Sequence, residues 1–189
     1  MIDGSYVNRR EFGLSTPSRY KKLVLVGHSG GGLVIRQAIY SLTTQLQAEK
    51  LDIAAISASM EPNLLKAKLR LFAPALLGVK FSGLLATVVH SNFLGNVGSW
   101  GLLWSAAYAD MSSNNKINEL RTGTETFGDR WKNLSGFRAI VLWGKKDHIV
   151  TPGKYRVDVT SPRAEGKNHS SVCKPTAEYS RPLELVSES

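Results

Sequence analysis

A single cysteine, Cys173, excludes an intrachain disulfide, so the fold does not depend on an oxidising compartment. Cys and His at ligand spacing are also missing, so no structural metal is expected, and no motif asks for a cofactor. The opening stretch MIDGSYVNRREFG has no apolar segment of signal-peptide type, and a cytoplasmic location is favoured. Acidic residues are scarce. There are 15 Asp and Glu against 24 Lys and Arg, a formal net charge of +9. The excess is uneven, with eight basic against three acidic residues between 138 and 174. No run of five basic residues occurs, and basic and aromatic residues do not interleave, which argues against a nucleic-acid binder. A basic face of this kind is ordinarily just solvated; as a functional surface it favours anionic substrates or peripheral contact with a membrane.

Residues 81–109 have no Asp, Glu, Lys or Arg at all. Four glycines, His90 and several Ser and Asn divide this stretch into pieces short for a membrane span, so two apolar helices over a core or pocket are expected. The whole chain, 189 residues with 42% hydrophobic and 21% charged, suits one globular domain over 1–189.

Short apolar runs alternate with helical patterns. Leu23 to Val26 reads as a buried strand ending at Gly27, and the helix after it carries Leu33, Ile35, Ala38, Ile39, Leu42 and Leu46. Residues 51–66 are ambiguous. LRLFAPALL, 69–77, reads as a second strand running out through Pro74. Residues 115–134 read as a helix with Phe127, Trp131 and Leu134 on one face. FRAIVLW, 137–143, is a third strand, and the alternation in YRVDV, 155–159, suggests a fourth. The tail from Glu178 is polar and expected to fray. Continuous apolar strands between helices predict an α/β protein with a mainly parallel sheet covered on both faces.

GHSGG, 27–31, fits G-x-S-x-G between that first strand and its helix. A serine raised above a sheet on a sharp strand-to-helix turn needs small residues two positions away on either side, here Gly27 and Gly31. The helix N-terminus then points free N–H groups at the serine, and Gly30 N–H is a natural oxyanion donor. The plain alternative is a glycine-rich turn, although GHSGGG has neither the lysine of a P-loop nor the G-x-G-x-x-G spacing of a dinucleotide site. A serine nucleophile needs a base, and the base an orienting carboxylate. Asp147 follows the third strand and His169 lies in the loop EGKNHSS after the fourth. Left to the bland reading, Asp147 is a turn acid pairing with Lys145 or Lys146, and His169 a polar loop residue. Of the other histidines, His28 is expected to point away from the serine, His90 to sit in a core or lid, and His148 to lie at the surface.

VLVGHSGGGLVIR, VLWGKKDHIVTP and GKNHSSVCKP together resemble the α/β-hydrolase superfamily, in its serine esterase and lipase-like members, over about residues 21–175. LFAPALLG, 71–78, is similar to the sixth strand of that fold and its exit toward a cap. The resemblance implies a three-layer sandwich with a helical cap insertion at about 79–135. It implies Ser29 as nucleophile, His169 as base and then acid, and Asp147 as its partner, hydrolysing esters through an acyl-enzyme without a cofactor. Phe93, Trp100 and Trp104 in the cap favour a lipophilic acyl group; Lys145, Lys146, Lys167 and Lys174 favour an anionic one. Only 22 residues precede Leu23, where the superfamily has about four strands and an H-G loop that gives a second oxyanion N–H. The sequence therefore also fits an N-terminally incomplete or degenerate hydrolase that has lost catalysis and serves as an interaction module, or not at all.

Overall fold

In a computed structural model of the chain, residues 22–58, 63–76, 114–150 and 152–188 are described. Four strands form a parallel sheet in the order β1-β2-β3-β4: β1 Val24–His28, β2 Lys68–Phe72, β3 Ala139–Leu142 and β4 Val159–Thr160. Between and after them run helices α1 Gly31–Ala48, α2 Ile53–Ala58, α3 Asn114–Arg130 and α4 Arg181–Ser187, with 3₁₀ turns at Leu64–Lys66 and Ser135–Phe137. The protein is thus a mixed α/β fold.

The sheet is parallel because each strand is followed by a crossover long enough to return to the same end. Register aligns His28 with Phe72, and Phe72 with Leu142, so three strands finish at one carboxyl edge. β2 is the most buried strand: Leu69 and Leu71 are fully inaccessible and Phe72 nearly so. Leu71 lies under α1, near Gly32. Side chains alternate along a strand, so Arg70 points to the opposite face. There its Nε–H donates to the carbonyl of Leu185 in α4. Helices therefore cover both faces. β1 pairs with β2 alone among the described residues, and Val26 is 51% exposed.

α3 lies against α1. A Cβ on Gly123 would come within 2.2 Å of Tyr40 Cε2, so only glycine allows the helices this close. Tyr40 stacks on Phe127 at 5.6 Å, and Phe127 meets Trp131 and Phe137 at 5.3 and 5.8 Å. α3 falls within the stretch read from sequence as a cap, yet its partners are α1 and the turn before β3. Residues 79–113 of that stretch, including His90, Phe93, Trp100 and Trp104, lie outside the described residues.

Three expectations are corrected. β2 stops at Phe72 instead of continuing to residue 77, because Ala73 turns to φ 43°. YRVDV is not a strand over its length. Asp158 Oδ2 accepts from Tyr155 N at 3.0 Å and Asp158 N donates back to Tyr155 O at 3.0 Å, closing a turn before the two-residue β4. A side-chain carboxylate has outcompeted the ladder. Nor is the tail frayed: α4 buries Leu185 and Pro182.

α1 carries its own surprise. Its buried face is Gly32, Leu33, Arg36, Ile39 and Thr43, with Arg36 at 1% exposure. Arg36 donates to Phe137 O at 2.7 Å and pairs with Asp158 Oδ1, which also accepts from Ala139 N at 2.9 Å. Truncating one member of a buried pair strands the other charge, at a cost of about 3–5 kcal/mol. Arg36→Ala and Asp158→Ala should each lose about that much in urea unfolding. The double substitution Arg36→Met with Asp158→Leu should lose clearly less than the two single losses combined.

Candidate active site

At the carboxyl edge β1 passes directly into α1 through Ser29 and Gly30. Ser29 has φ 54°, a left-handed conformation that costs a non-glycine residue on the order of 1–3 kcal/mol. The conformation is held from several sides. Ser29 N donates to Phe72 O at 3.1 Å, while Ala75 N and Gly32 N donate to Ser29 O at 3.2 and 3.1 Å. A Cβ on Gly27 would sit 3.0 Å from both Gly32 N and Ile35 Cδ1, as expected of the residue two before the serine. The expectation for Gly31 is corrected. A Cβ there would meet nothing within 4 Å, whereas one on Gly32 would lie 2.9 Å from Pro74 Cβ. The close approach is thus made by the helix against the β2 exit. Gly30 is the N-cap of α1; it brings no capping side chain, and the first turn carries no acidic residue. The N-terminal N–H groups and the positive end of the helix dipole thus face the turn without a side-chain partner from the cap.

Asp147 and His169 lie in two loops beyond β3 and β4. His169 Nδ1–H donates to Asp147 Oδ2 at 3.0 Å, and Asp147 Oδ1 accepts from Ile149 N at 2.9 Å and Val150 N at 3.3 Å. Both residues are buried, and the Asp147 side chain is fully so. Burial pushes the Asp147 carboxyl up. The hydrogen bond from His169 and those from the two backbone N–H groups outweigh it and hold the carboxyl below its ordinary value. With Nδ1–H committed to Asp147, the neutral His169 ring has its lone pair on Nε2, the tautomer a general base needs.

The local sequence explains how these loops meet. A Cβ on Gly144 would fall 2.3 Å from Lys167 O, so the two loops touch only because residue 144 is glycine. Lys146 N donates to Lys167 O and Lys145 N to Ala164 O, both at 2.9 Å. Gly166 takes φ 66° at the bend. Asn168 Oδ1 accepts from Ser170 N and Ser171 N at 3.1 and 2.9 Å, an Asx turn that aims His169. Tyr179 hydroxyl donates to Val172 O at 2.8 Å, and the Lys167 ammonium sits 4.2 Å over the Tyr179 ring.

His28 meets the loop of His169. Its Nε2 lies 2.8 Å from His169 O, and the two rings stand 4.8 Å apart, tilted by 45°. A carbonyl can only accept, so His28 carries its proton on Nε2. Burial is the main influence on His28 and lowers its pKa below 6.5. The structure therefore brings Asp147 onto His169 and His169 onto His28, the residue before Ser29. Among the described residues the Ser29 hydroxyl itself makes no hydrogen bond to His169, a contact that in unliganded sites often tightens only with substrate. His148 is exposed, and Lys145 pairs with Glu165 rather than with Asp147. No group of three or more His, Cys, Asp or Glu among the described residues is placed to hold a metal, and no described helix is long and apolar enough to cross a membrane.

Gly32, Gly144 and Asn168 are the site's residues that sequence reading passed over, and His28 was weighed there but given no role. Asn168, two and three before the N–H groups it accepts from, has a local signature. The other three act across long sequence separations. No protein-family model, curated protein or solved structure matches the chain.

Two outcomes follow from this geometry. Gly144→Ala should lower the unfolding free energy by about 1–3 kcal/mol through overpacking, whereas Gly31→Ala should leave it unchanged or slightly higher, as read by thermal melting. For Asp147 the folded carboxyl is the more acidic one. Its contribution to stability is full above the unfolded value of about 3.9 and is lost as pH falls through the lower folded value. Asp147→Asn should therefore be less stable than wild type at neutral pH, with the gap narrowing on the acid limb of urea titrations.

Proposed function

We propose that this chain is a serine hydrolase of carboxylic esters with an α/β-hydrolase type of sandwich, with Ser29 as nucleophile, His169 as base and then acid, and Asp147 as orienting carboxylate. The observation that carries this reading is the buried Asp147–His169 couple at the same sheet edge as a serine held at φ 54°. In this scheme His169 Nε2 removes the Ser29 proton as Oγ attacks the ester carbonyl carbon. The negative charge that develops on the carbonyl oxygen is met by Gly30 N–H and the N-terminus of α1. The imidazolium, stabilised by Asp147, returns the proton to the leaving alkoxide, and Ser29 is left acylated. Water, deprotonated by His169, then releases the acid. A small-molecule ester, lipid-like in its acyl part, is the proposed substrate because residues 81–109 are apolar and rich in aromatics.

That the Ser29 hydroxyl makes no hydrogen bond to His169 among the described residues supports a second reading, a hydrolase-derived module without catalysis. One experiment separates the two. The hydrolase reading expects stoichiometric fluorophosphonate labelling of Ser29 and p-nitrophenyl ester turnover, both lost in Ser29→Ala. Turnover unchanged by that substitution overturns it, and a folded protein that resists labelling favours the module.

A further inference from the structure

The two sides of the candidate site are tied unequally. The loop bearing His169 is fastened to the loop after β3 by the Lys145, Lys146 and Gly144 contacts, and to Tyr179 through Val172. The serine turn is fastened to the exit of β2 through Phe72 and Ala75. Only one hydrogen bond among the described residues crosses between residues 27–31 and 164–172, and it is the one from His28 Nε2–H to His169 O at 2.8 Å. His28 is also the last residue of β1, fixed in register with Phe72, so its backbone is among the less movable parts of the edge.

We propose that His28 is a positioning residue: by donating from Nε2 to the His169 carbonyl with its ring against the His169 ring, it clamps the loop of the proposed base onto the serine turn. The inference rests on the reading of His169 as the base, and it adds a part that the nucleophile, base and carboxylate alone do not supply. The hydrogen bond goes to the backbone of His169. It therefore sets where the residue sits and leaves both ring nitrogens to Asp147 and the reaction. A residue next to the serine in the chain is also well placed to hold the spacing, since a misplacement of about 1 Å can cost about 10²-fold in rate.

The clamp has a charge requirement. The groups around the His28 ring are His169, Asp147 and Lys174. A proton added to His28 has to go to Nδ1, because Nε2 is already protonated. The resulting cation stands 4.8 Å from the His169 ring and disfavours the imidazolium that catalysis needs. Burial disfavours that added proton and holds the His28 pKa below its ordinary value.

The test reads the clamp without relying on turnover. In proton NMR the His169 Nδ1–H bonded to Asp147 gives a strongly deshielded resonance whose exchange with water reports how firmly the loop is held. His28→Phe keeps a ring and removes the donor; His28→Gln places an amide N–H near the position of Nε2; His28→Asn is one methylene too short to reach. The expected result is exchange at least about tenfold faster in the Phe and Asn variants and near wild type in Gln. Ester kcat should fall by about 10²-fold in Phe and Asn with KM little changed, and Gln should restore most of it. Exchange in a folded Phe variant equal to wild type overturns the proposal. If the Phe variant does not fold, equal exchange in Gln and Asn overturns it instead. Failure of Ser29 to take a fluorophosphonate while the exchange pattern holds sinks the hydrolase reading and leaves the clamp standing.

Discussion

Arg36 puts a guanidinium on the inward face of the helix that leaves the serine turn, and the rest of the fold is arranged to receive it. Asp158 takes its charge, Phe137 O takes a second N–H, and the Tyr155 ring lies 5.0 Å from the guanidinium carbon. Asp158 spends its remaining capacity on the backbone of Ala139 and Tyr155. One ion pair thus fixes the start of β3, the turn before β4 and the angle of α1 over both. Desolvating two charges is expensive, and Arg36 Nε and the Tyr155 hydroxyl remain buried without a partner among the described residues. Burial also pushes the Tyr155 phenol up to about 12, so it stays neutral beside the pair. Such a pair adds little net stability over a packed apolar one, but leaving either member without the other is costly, which restricts the arrangements open to the chain. Here the restriction matters: α1 begins two residues after Ser29, and β4 leads into the loop that carries His169.

The polar groups at the carboxyl edge obey a similar rule of mutual constraint. Two imidazoles packed together cannot both carry charge cheaply. The one beside the carboxylate donates its Nδ1 proton to it, and the other gives its Nε2 proton to a carbonyl while burial disfavours its charged form. A single carboxylate therefore divides the roles of two residues of the same type. The basic side chains around this edge are of another kind. Lys145 is paired with Glu165 in solvent, and Lys167 lies on an aromatic face. Exposed pairs of that sort weigh little in stability and are screened by salt.

How much of this was legible depended on how local the cause was. The serine turn could be read because strand, glycine, serine and helix follow one another in the chain. Asp147 could be read as a candidate because it follows an apolar run, and His169 because it lies in a Gly, Asn and Ser loop after the next expected strand; parallel strands bring such loops to one edge. Arg36 was invisible to a search for apolar spacing; the helix face was drawn through Ala38 and Leu42, while Arg36 and Thr43 are what it buries. YRVDV had the right alternation for a strand, but Asp158 had a use for its carboxylate that only the distant Arg36 reveals. The tail looked polar, and Leu185 alone could not announce that Arg70 would donate to its carbonyl. Gly32 was passed over for Gly31 because the obstructing atom belongs to Pro74, which the chain reaches only after α1, α2 and β2.

The last of those contacts bears on why the edge is strained twice. Ser29 and Ala73 follow paired residues, His28 and Phe72, and both turn left-handed, at φ 54° and 43°. Each conformation costs on the order of 1–3 kcal/mol, and neither would persist alone. They support each other: Ser29 N bonds back to Phe72 O, Ala73 N bonds across to Leu142 O, and Ala75 N closes onto Ser29 O. The chain leaving β2 has to bend at Ala73 to bring Ala75 N to the serine carbonyl, and the bend brings Pro74 against the bare Cα of Gly32. A larger residue at 32 would push the β2 exit away and release both turns together. The serine backbone is held by hydrogen bonds from the exits of two strands, so its position is set by the packing of the sheet edge as much as by its own pentapeptide.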